Sequence, residues 1–233
     1  MKIFTKNITA NKAFIKGEDV KHMKDVLRLK KGDKLTIGDG EKNDYLCEII
    51  SITKEIAELK IIEKTTNESE PKTKITLYQA LPKANKLEEI IQKATELGVS
   101  EIIPIETAFS IVKTKDLSEK KYERFEKIAK AAAQQSKRGI IPTIGKVKHF
   151  KDIEPIGTAI LAYEKEKNNF IKNIKLEEEC SIIVGAEGGF SEEEIALAKE
   201  KGFHIVSLGK RILRLETASV VLAALVLNAK GEI

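Results

Sequence analysis

The sequence predicts a mixed α/β protein of two parts. A small β-barrel is expected over residues 1–69, and an α/β domain with a parallel sheet over residues 73–233. Three observations carry this. The first seventy residues hold short β-type runs separated by turn clusters. From Ile75 onward, strand-like and amphipathic helical stretches alternate. Between them Glu63–Lys74 (EKTTNESEPKTK) is polar, contains a proline and has no apolar period, as expected of a linker.

In the N-terminal part, Lys12–Lys16, Lys34–Ile37, Tyr45–Ile52 and Ile56–Ile62 read as strands. Gly32-Asp33 and Gly38-Asp39-Gly40 supply turns, and Glu18–Leu27 reads as a short helix. In the C-terminal part, Ile75–Gln79 is a strand. Leu87, Ile90, Ile91, Ala94 and Leu97 then share one helix face, and Gly98 stops that helix. Glu101–Ile105 is a strand. Ser118 opens a long helix that buries Tyr122, Phe125, Ile128, Ala129, Ala132 and Ala133. Ala159–Tyr163, Ser181–Val184 and Phe203–Ser207 are further strands. Ser191 and Glu194 have capping-box spacing at a helix that Gly202 ends. The last helix, Ala218–Ala229, is apolar on every side. It is expected to be buried all round, either by the domain core or by a second subunit, and the small size of the chain favours the second subunit.

No run is apolar over the ~18 residues that a membrane span needs. The N-terminus lacks the long apolar core of a secretory signal. Cys47 and Cys180 stand far apart, and His22, His149 and His204 are scattered, so no metal site is expected. Two reduced thiols and no leader point to a cytoplasmic protein. The net charge of +5 is uneven: residues 113–151 hold twelve Lys/Arg against four Asp/Glu. Such a block suits a polyanionic partner, although a solvated helix face also explains it.

The chemistry concentrates in two glycine-bearing loops, each following a strand. Gly185-Ala186-Glu187-Gly188-Gly189 precedes a helix whose positive end faces the same loop. It has neither the GxxxxGK[ST] nor the GxGxxG spacing, which argues against ATP and NAD. The second loop, Leu208–Thr217, sets apolar Ile212, Leu213 and Leu215 among Arg211 and Arg214. The apolar residues suit pocket walls, and the arginines suit a phosphate or carboxylate.

Five motifs in order resemble the RsmE family of SPOUT-class RNA methyltransferases. They are His22–Asp33 (H-x-x-x-VLR-x-x-x-GD), Gln92–Val99 (QKATELGV, after Leu81-Pro82-Lys83), Ala131–Arg138 (AA-x-Q-S-x-R), Gly185–Gly189 (the GPEGG loop) and Leu208–Ala218 (LG-x-x-ILR-x-ETA). The sequence departs in two places. Ala186 replaces the usual proline, and Lys86 stands where arginine is usual.

The resemblance implies a trefoil knot in the C-terminal domain, a PUA-like RNA-binding barrel, a homodimer, and bent S-adenosylmethionine between the knotted loops. It implies transfer of a methyl group to N3 of a uridine in 16S ribosomal RNA, with the 30S subunit as the partner. Leu161, Val184, Gly185 and Gly188 are expected to line the cofactor pocket, together with Leu208, Gly209, Ile212 and Leu213. Arg214 and Glu187 are the candidate catalytic residues. Arg214 is assigned to charge stabilisation or nucleotide grip, Glu187 to a base or orienting role, with Glu164 a further candidate lining residue. RNA contact is expected from Lys21, Lys24, Arg28 and Lys31, and from Lys83, Lys93, Lys137 and Arg138. With no tryptophan and 5% aromatics, extensive base stacking is not expected. A non-enzymatic RNA-binding factor explains the basic block but not the two loops. A transfer-RNA target would run against the N-terminal motif.

Overall fold

A computed structural model describes residues 2–233 as two units. The first comprises residues up to Glu70 together with Ala133–Ile141, and the second comprises Pro71–Ala132 with Pro142–Ile233.

The first unit holds a five-stranded sheet of β1 (Lys2–Phe4), β2 (Lys12–Lys16), β3 (Lys34–Gly38), β4 (Asn43–Ile52) and β5 (Ile56–Thr66), in the order β1-β3-β4-β5-β2. β1 pairs parallel with β3, and every other pair is antiparallel. The edge strands β1 and β2 are tied through the segment between them. Thr5 Oγ1 donates to Phe14 O at 2.9 Å, and Phe14 N donates to Asn7 O at 2.9 Å. Alternating Ile3, Ala13, Ile15, Leu35, Ile37, Cys47, Ile49, Ala57 and Leu59 fill the core. Val20 and Met23 close it from α1 (Glu18–Lys21) and the π-helical turn after it, His22–Val26.

Two expectations need correction here. β1 is a strand beyond those the sequence predicts, because its Lys2 is buried, pairs with Asp44 and lies over the Phe4 ring instead of marking a surface. The expected linker also begins too early. Glu63–Thr66 continue β5 against Asn43–Leu46 of β4. These residues are all exposed, so the strand carries no apolar alternation to read.

The second unit is a parallel sheet of β6 (Lys74–Ala80), β7 (Glu101–Glu106), β8 (Thr143–Ile144), β9 (Lys148–His149), β10 (Thr158–Ala162), β11 (Glu179–Val184) and β12 (His204–Val206). Its order is β12-β10-β11-β6-β7-β8, and β9 also pairs with β7. One face buries Tyr78, Ile103, Leu161, Ile183 and Ile205 with Ile195 and Ala198 of α4 (Glu192–Glu200). On the other side, α5 (Leu215–Ala229) packs on β6, β11 and α2 (Lys86–Leu97). The expected apolar face of α2 is buried at Leu87, Ile90, Ile91 and Ala94, and Gly98 ends the helix at φ 103°. The capping box of α4 is present, with Glu194 N donating to Ser191 Oγ and Ser191 N donating to Glu194 Oε2. α3 (Glu119–Gln135) buries Tyr122, Phe125, Ala129, Ala132 and Ala133.

One feature of α5 departs from the expectation. It starts at Leu215, so Glu216 and Thr217 belong to its first turn and Arg214 is its N-cap residue. Within the single chain it is not buried all round, so the domain core alone does not cover it. Leu222, Ala223, Val226 and Leu227 are buried, but Leu225 is 40% exposed and Val221 and Ala224 are half-buried. Cys47 and Cys180 are free and buried, and burial pushes both thiols up to about 11, which keeps them protonated and inert. Among the described residues there is no group of His, Cys, Asp and Glu suited to a metal. No helix among them is long and apolar enough to cross a membrane.

Candidate active site

In an open parallel sheet, ligands bind beyond the carboxyl ends of the strands. Four neighbouring strands, β12, β10, β11 and β6, open at that end onto a cavity of about 580 Å³. After β10 come Ala162, Tyr163 and Glu164. β11 leads into Val184–Phe190, and β12 into Leu208–Leu215. Lys86 arrives at the start of the helix that follows β6.

The loop after β11 is a tight turn. Gly189 N donates to Ala186 O at 3.0 Å, and Gly189 sits at φ 67°. A Cβ at Gly189 would stand 2.9 Å from Glu164 Oε1, and one at Gly188 would stand 2.7 Å from Phe109 Cβ. Both glycines therefore leave room that neighbouring side chains occupy. Across the cavity, Leu213 is half-buried and Leu215 buried, while Ile212 is 87% exposed.

Of the expected cofactor residues, the structure gathers Val184, Gly185, Gly188, Leu208, Gly209, Ile212 and Leu213 around this cavity, with Arg214 and Glu187. Leu161 does not line it. Its side chain is fully buried among Ile183, Ile205 and their neighbours, and the residues that follow it along the chain reach the cavity instead.

The charged groups form a connected set. Lys86 Nζ donates to Glu187 Oε1 at 2.9 Å and lies 3.9 Å from Glu216 Oε2. That Glu216 oxygen is buried and accepts no hydrogen bond. Burial pushes the Glu187 carboxyl up, but the Lys86 hydrogen bond and backbone donors outweigh it, leaving the group below the ordinary carboxylate value. The hydrogen bond to Glu187 in turn raises Lys86. Neither Lys86 nor Glu216 is among the site residues expected from sequence. The sequence signal for Lys86 is that it stands, after Lys83, where the family usually has arginine, and Glu216 falls in a stretch that reads as loop.

The expected RNA contacts separate. Lys21, Arg28 and Lys31 are exposed on the first unit and Lys24 is half-buried there. Lys83 and Lys137 are exposed, while Lys93 pairs with Glu89 at 2.6 Å. Arg138 does not fit the expectation. It is 3% exposed, and its Nε and Nη2 donate to Glu70 Oε1 and Oε2 at 3.1 and 2.8 Å. A guanidinium held bidentately on a buried carboxylate is a structural clamp and has no face left for RNA.

A parallel sheet with a glycine-looped cavity at its carboxyl end is the arrangement in which α/β proteins bind nucleotide-type small molecules. Residues 68–227 match the RNA methyltransferase domain, and residues 15–62 match the RNA methyltransferase PUA domain. The chain is 35% identical over 217 residues to ribosomal RNA small subunit methyltransferase E of Bacillus subtilis (strain 168), covering 88% of this chain and 85% of that one. It is 33% identical over 229 residues to the Aquifex aeolicus (strain VF5) protein of the same name, covering 94% and 95%. The crystal structure of the Neisseria gonorrhoeae enzyme bound to S-adenosyl methionine superposes with a TM-score of 0.89 at 26% identity, covering 97% and 96%. The chain belongs to the ribosomal RNA small subunit methyltransferase E family.

Proposed function

We propose that this protein transfers a methyl group from S-adenosylmethionine to N3 of a uridine in 16S ribosomal RNA, on the assembled 30S subunit in the cytoplasm. The observation that carries the reading is one cavity fed by four adjacent strand ends and lined by both apolar and charged side chains. Its residues fit the cofactor. The volume lies within the ~300–1,000 Å³ typical of small-molecule sites. Leu208, Ile212 and Leu213 suit a flat aromatic ring, Glu164 suits a positive centre or ribose hydroxyls, and Arg211 suits a carboxylate.

When bound, the cofactor supplies a methyl group already activated on a positively charged sulfur. What the chain must do is orient the uridine and favour loss of its N3 proton. Arg214, exposed at the cavity rim, is our choice for meeting the negative charge that develops on the base. Glu187, held as an anion by Lys86, suits an orienting role better than that of a base. We assign residues 1–69 as the PUA-like RNA-binding domain, and assign phosphate contacts to Lys21, Lys24, Arg28 and Lys31 and, separately, to Lys83, Lys93 and Lys137. Residues 73–233 are the methyltransferase domain, whose C-terminal segment we take to be threaded as a trefoil knot. The apolar stripe left uncovered at Leu225 and partly covered at Val221 and Ala224 of α5 supports a homodimer.

The test is methylation of 30S subunits from a strain lacking this enzyme, read by mass mapping of the rRNA. One uridine is expected to gain a methyl group at N3; active-folded protein that leaves every uridine unchanged would refute the reading. In the same assay Arg214→Ala is expected to lose turnover while keeping cofactor affinity.

A further inference from the structure

We propose that Lys86 is a second cation of the methyl-transfer site, meeting the charge on the uridine, and that half-buried Glu216 is the positioning residue that holds it there. The inference rests on the uridine-methylation reading above and assigns a role within the same site.

The geometry is that of one ammonium shared by two carboxylates on different elements. Lys86 lines the cavity from the first turn of α2. Its hydrogen-bonded partner Glu187 stands on the loop after β11, about a third exposed. Its second neighbour Glu216 stands in the first turn of α5, with a side chain only 13% exposed. A buried carboxylate oxygen without a hydrogen bond is costly unless a cation compensates it, and Lys86 is the nearer of two cations that face it. Lys93, about two turns further along α2, is the other. The remaining charged group facing Lys86 is Arg214, which repels it.

The more exposed Glu187 contact is open to exchange, whereas Glu216, less exposed and 3.9 Å away without a hydrogen bond, acts on the ammonium through its charge. A uridine approaching the cavity can replace Glu187 as the partner of Lys86, while Glu216 keeps the ammonium in place. The ring nitrogen then gives its proton to solvent and forms a bond to the methyl carbon. The methyl–sulfur bond breaks and its electron pair stays on sulfur. An ammonium beside the base lowers the cost of the uridine anion before the methyl bond forms, as preorganised cations do for developing anions elsewhere. Arg214 and Lys86 would thus flank one negative charge, and their mutual repulsion in the free protein is relieved when that charge arrives.

The experiment measures 30S methylation from neutral to alkaline pH for wild type, Lys86→Met, Lys86→Arg and Glu216→Gln. Calorimetry with S-adenosylmethionine is run on each. Lys86→Met is expected to bind the cofactor normally, to lose about 100-fold in kcat at neutral pH, and to have its alkaline limb moved upward in pH. Lys86→Arg restores most of the turnover and the original limb. Glu216→Gln shows a smaller loss with the limb moved the same way, and decides the matter if Lys86→Met fails to bind the cofactor. An active wild type whose limb is unmoved in these variants overturns the proposal alone. A wild type that binds cofactor and methylates no uridine overturns the underlying reading and the proposal with it.

Discussion

Ser219 Oγ lies 2.5 Å from Gln79 Oε1, and both side chains are buried. The same hydroxyl is 2.8 Å from Leu215 O, so its one hydrogen is shared between its own helix and β6. The Gln79 amide nitrogen is spent on Ala80 O at 3.1 Å, which fixes the amide orientation and leaves Oε1 dependent on Ser219. The bond pins the start of α5, and with it Arg214 and Glu216, to the strand beside β11. Ser219→Ala leaves a buried acceptor unpaired, and is expected to cost about 1–3 kcal/mol in urea unfolding. A change within ~0.5 kcal/mol would mean that α5 is held by packing alone.

Arg138→Ala removes one partner of a pair in which the carboxylate of Glu70 is also buried. Glu70 Oε1 additionally accepts from Gly139 N and Ile140 N at 2.9 and 3.0 Å, so the clamp organises the turn after α3 as well. The expected loss is about 3–5 kcal/mol of stability, because a buried charge is stranded. Arg138→Lys keeps the charge but loses the fork, so it should recover only part of this. Were Arg138 an RNA contact, either variant would instead weaken RNA binding and leave the unfolding midpoint in place.

Gly189→Ala tests the turn after β11. The residue sits at φ 67°, where a side chain is strained, and the new Cβ would meet the Glu164 carboxylate. The Glu164 side chain must then shift at the edge of the cavity. Calorimetry is expected to show at least a tenfold weaker affinity for S-adenosylmethionine, about 1.4 kcal/mol. The helical content should stay as it is.

The elements around this turn are legible in the sequence because their signals are local. Period-two strands, the apolar face of α2, the Ser191–Glu194 box and two glycine loops can each be read within a dozen residues. The cavity is legible for the same reason, since three of its four walls directly follow apolar strands. What does not show is tertiary. Nothing near Lys86 announces that Glu187 and Glu216, far along the chain, converge on it. Arg138 is one more member of a basic block until Glu70 is placed beside it. Glu63–Thr66 resemble a linker because a strand exposed throughout has no apolar period.

Glu187 makes stability depend on pH. Its carboxyl lies below the ordinary value in the folded protein, since the Lys86 hydrogen bond and backbone donors outweigh burial. A lowered group contributes stability that is present above its unfolded value, ~4.3, and is lost as pH falls through the folded value. Thermal melts taken between about pH 6 and pH 3 should therefore fall more steeply for wild type than for Glu187→Gln. Parallel curves for the two proteins would place the acid sensitivity elsewhere, with Asp39 and Glu106 the next groups to test, as both are also lowered.

Lys21, Arg28 and Lys31 stand exposed around the helical turn of the first unit, and Arg28 holds a left-handed φ of 54° that turns the chain there. Exposed cations of this kind contribute affinity by releasing counterions from phosphates, without reading sequence. Replacing each with alanine should weaken binding to 16S rRNA fragments and flatten the salt dependence, by about 0.7–0.9 in log–log slope for each phosphate left without its cation. Cofactor affinity should not change, because none of the three lines the cavity. Arg28→Ala carries one complication, since alanine tolerates the left-handed backbone poorly; Arg28→Gly separates loss of charge from strain. An unaltered salt slope in all of these variants would remove the N-terminal face from the RNA interface and leave Lys83 and Lys137 as the residues to replace next.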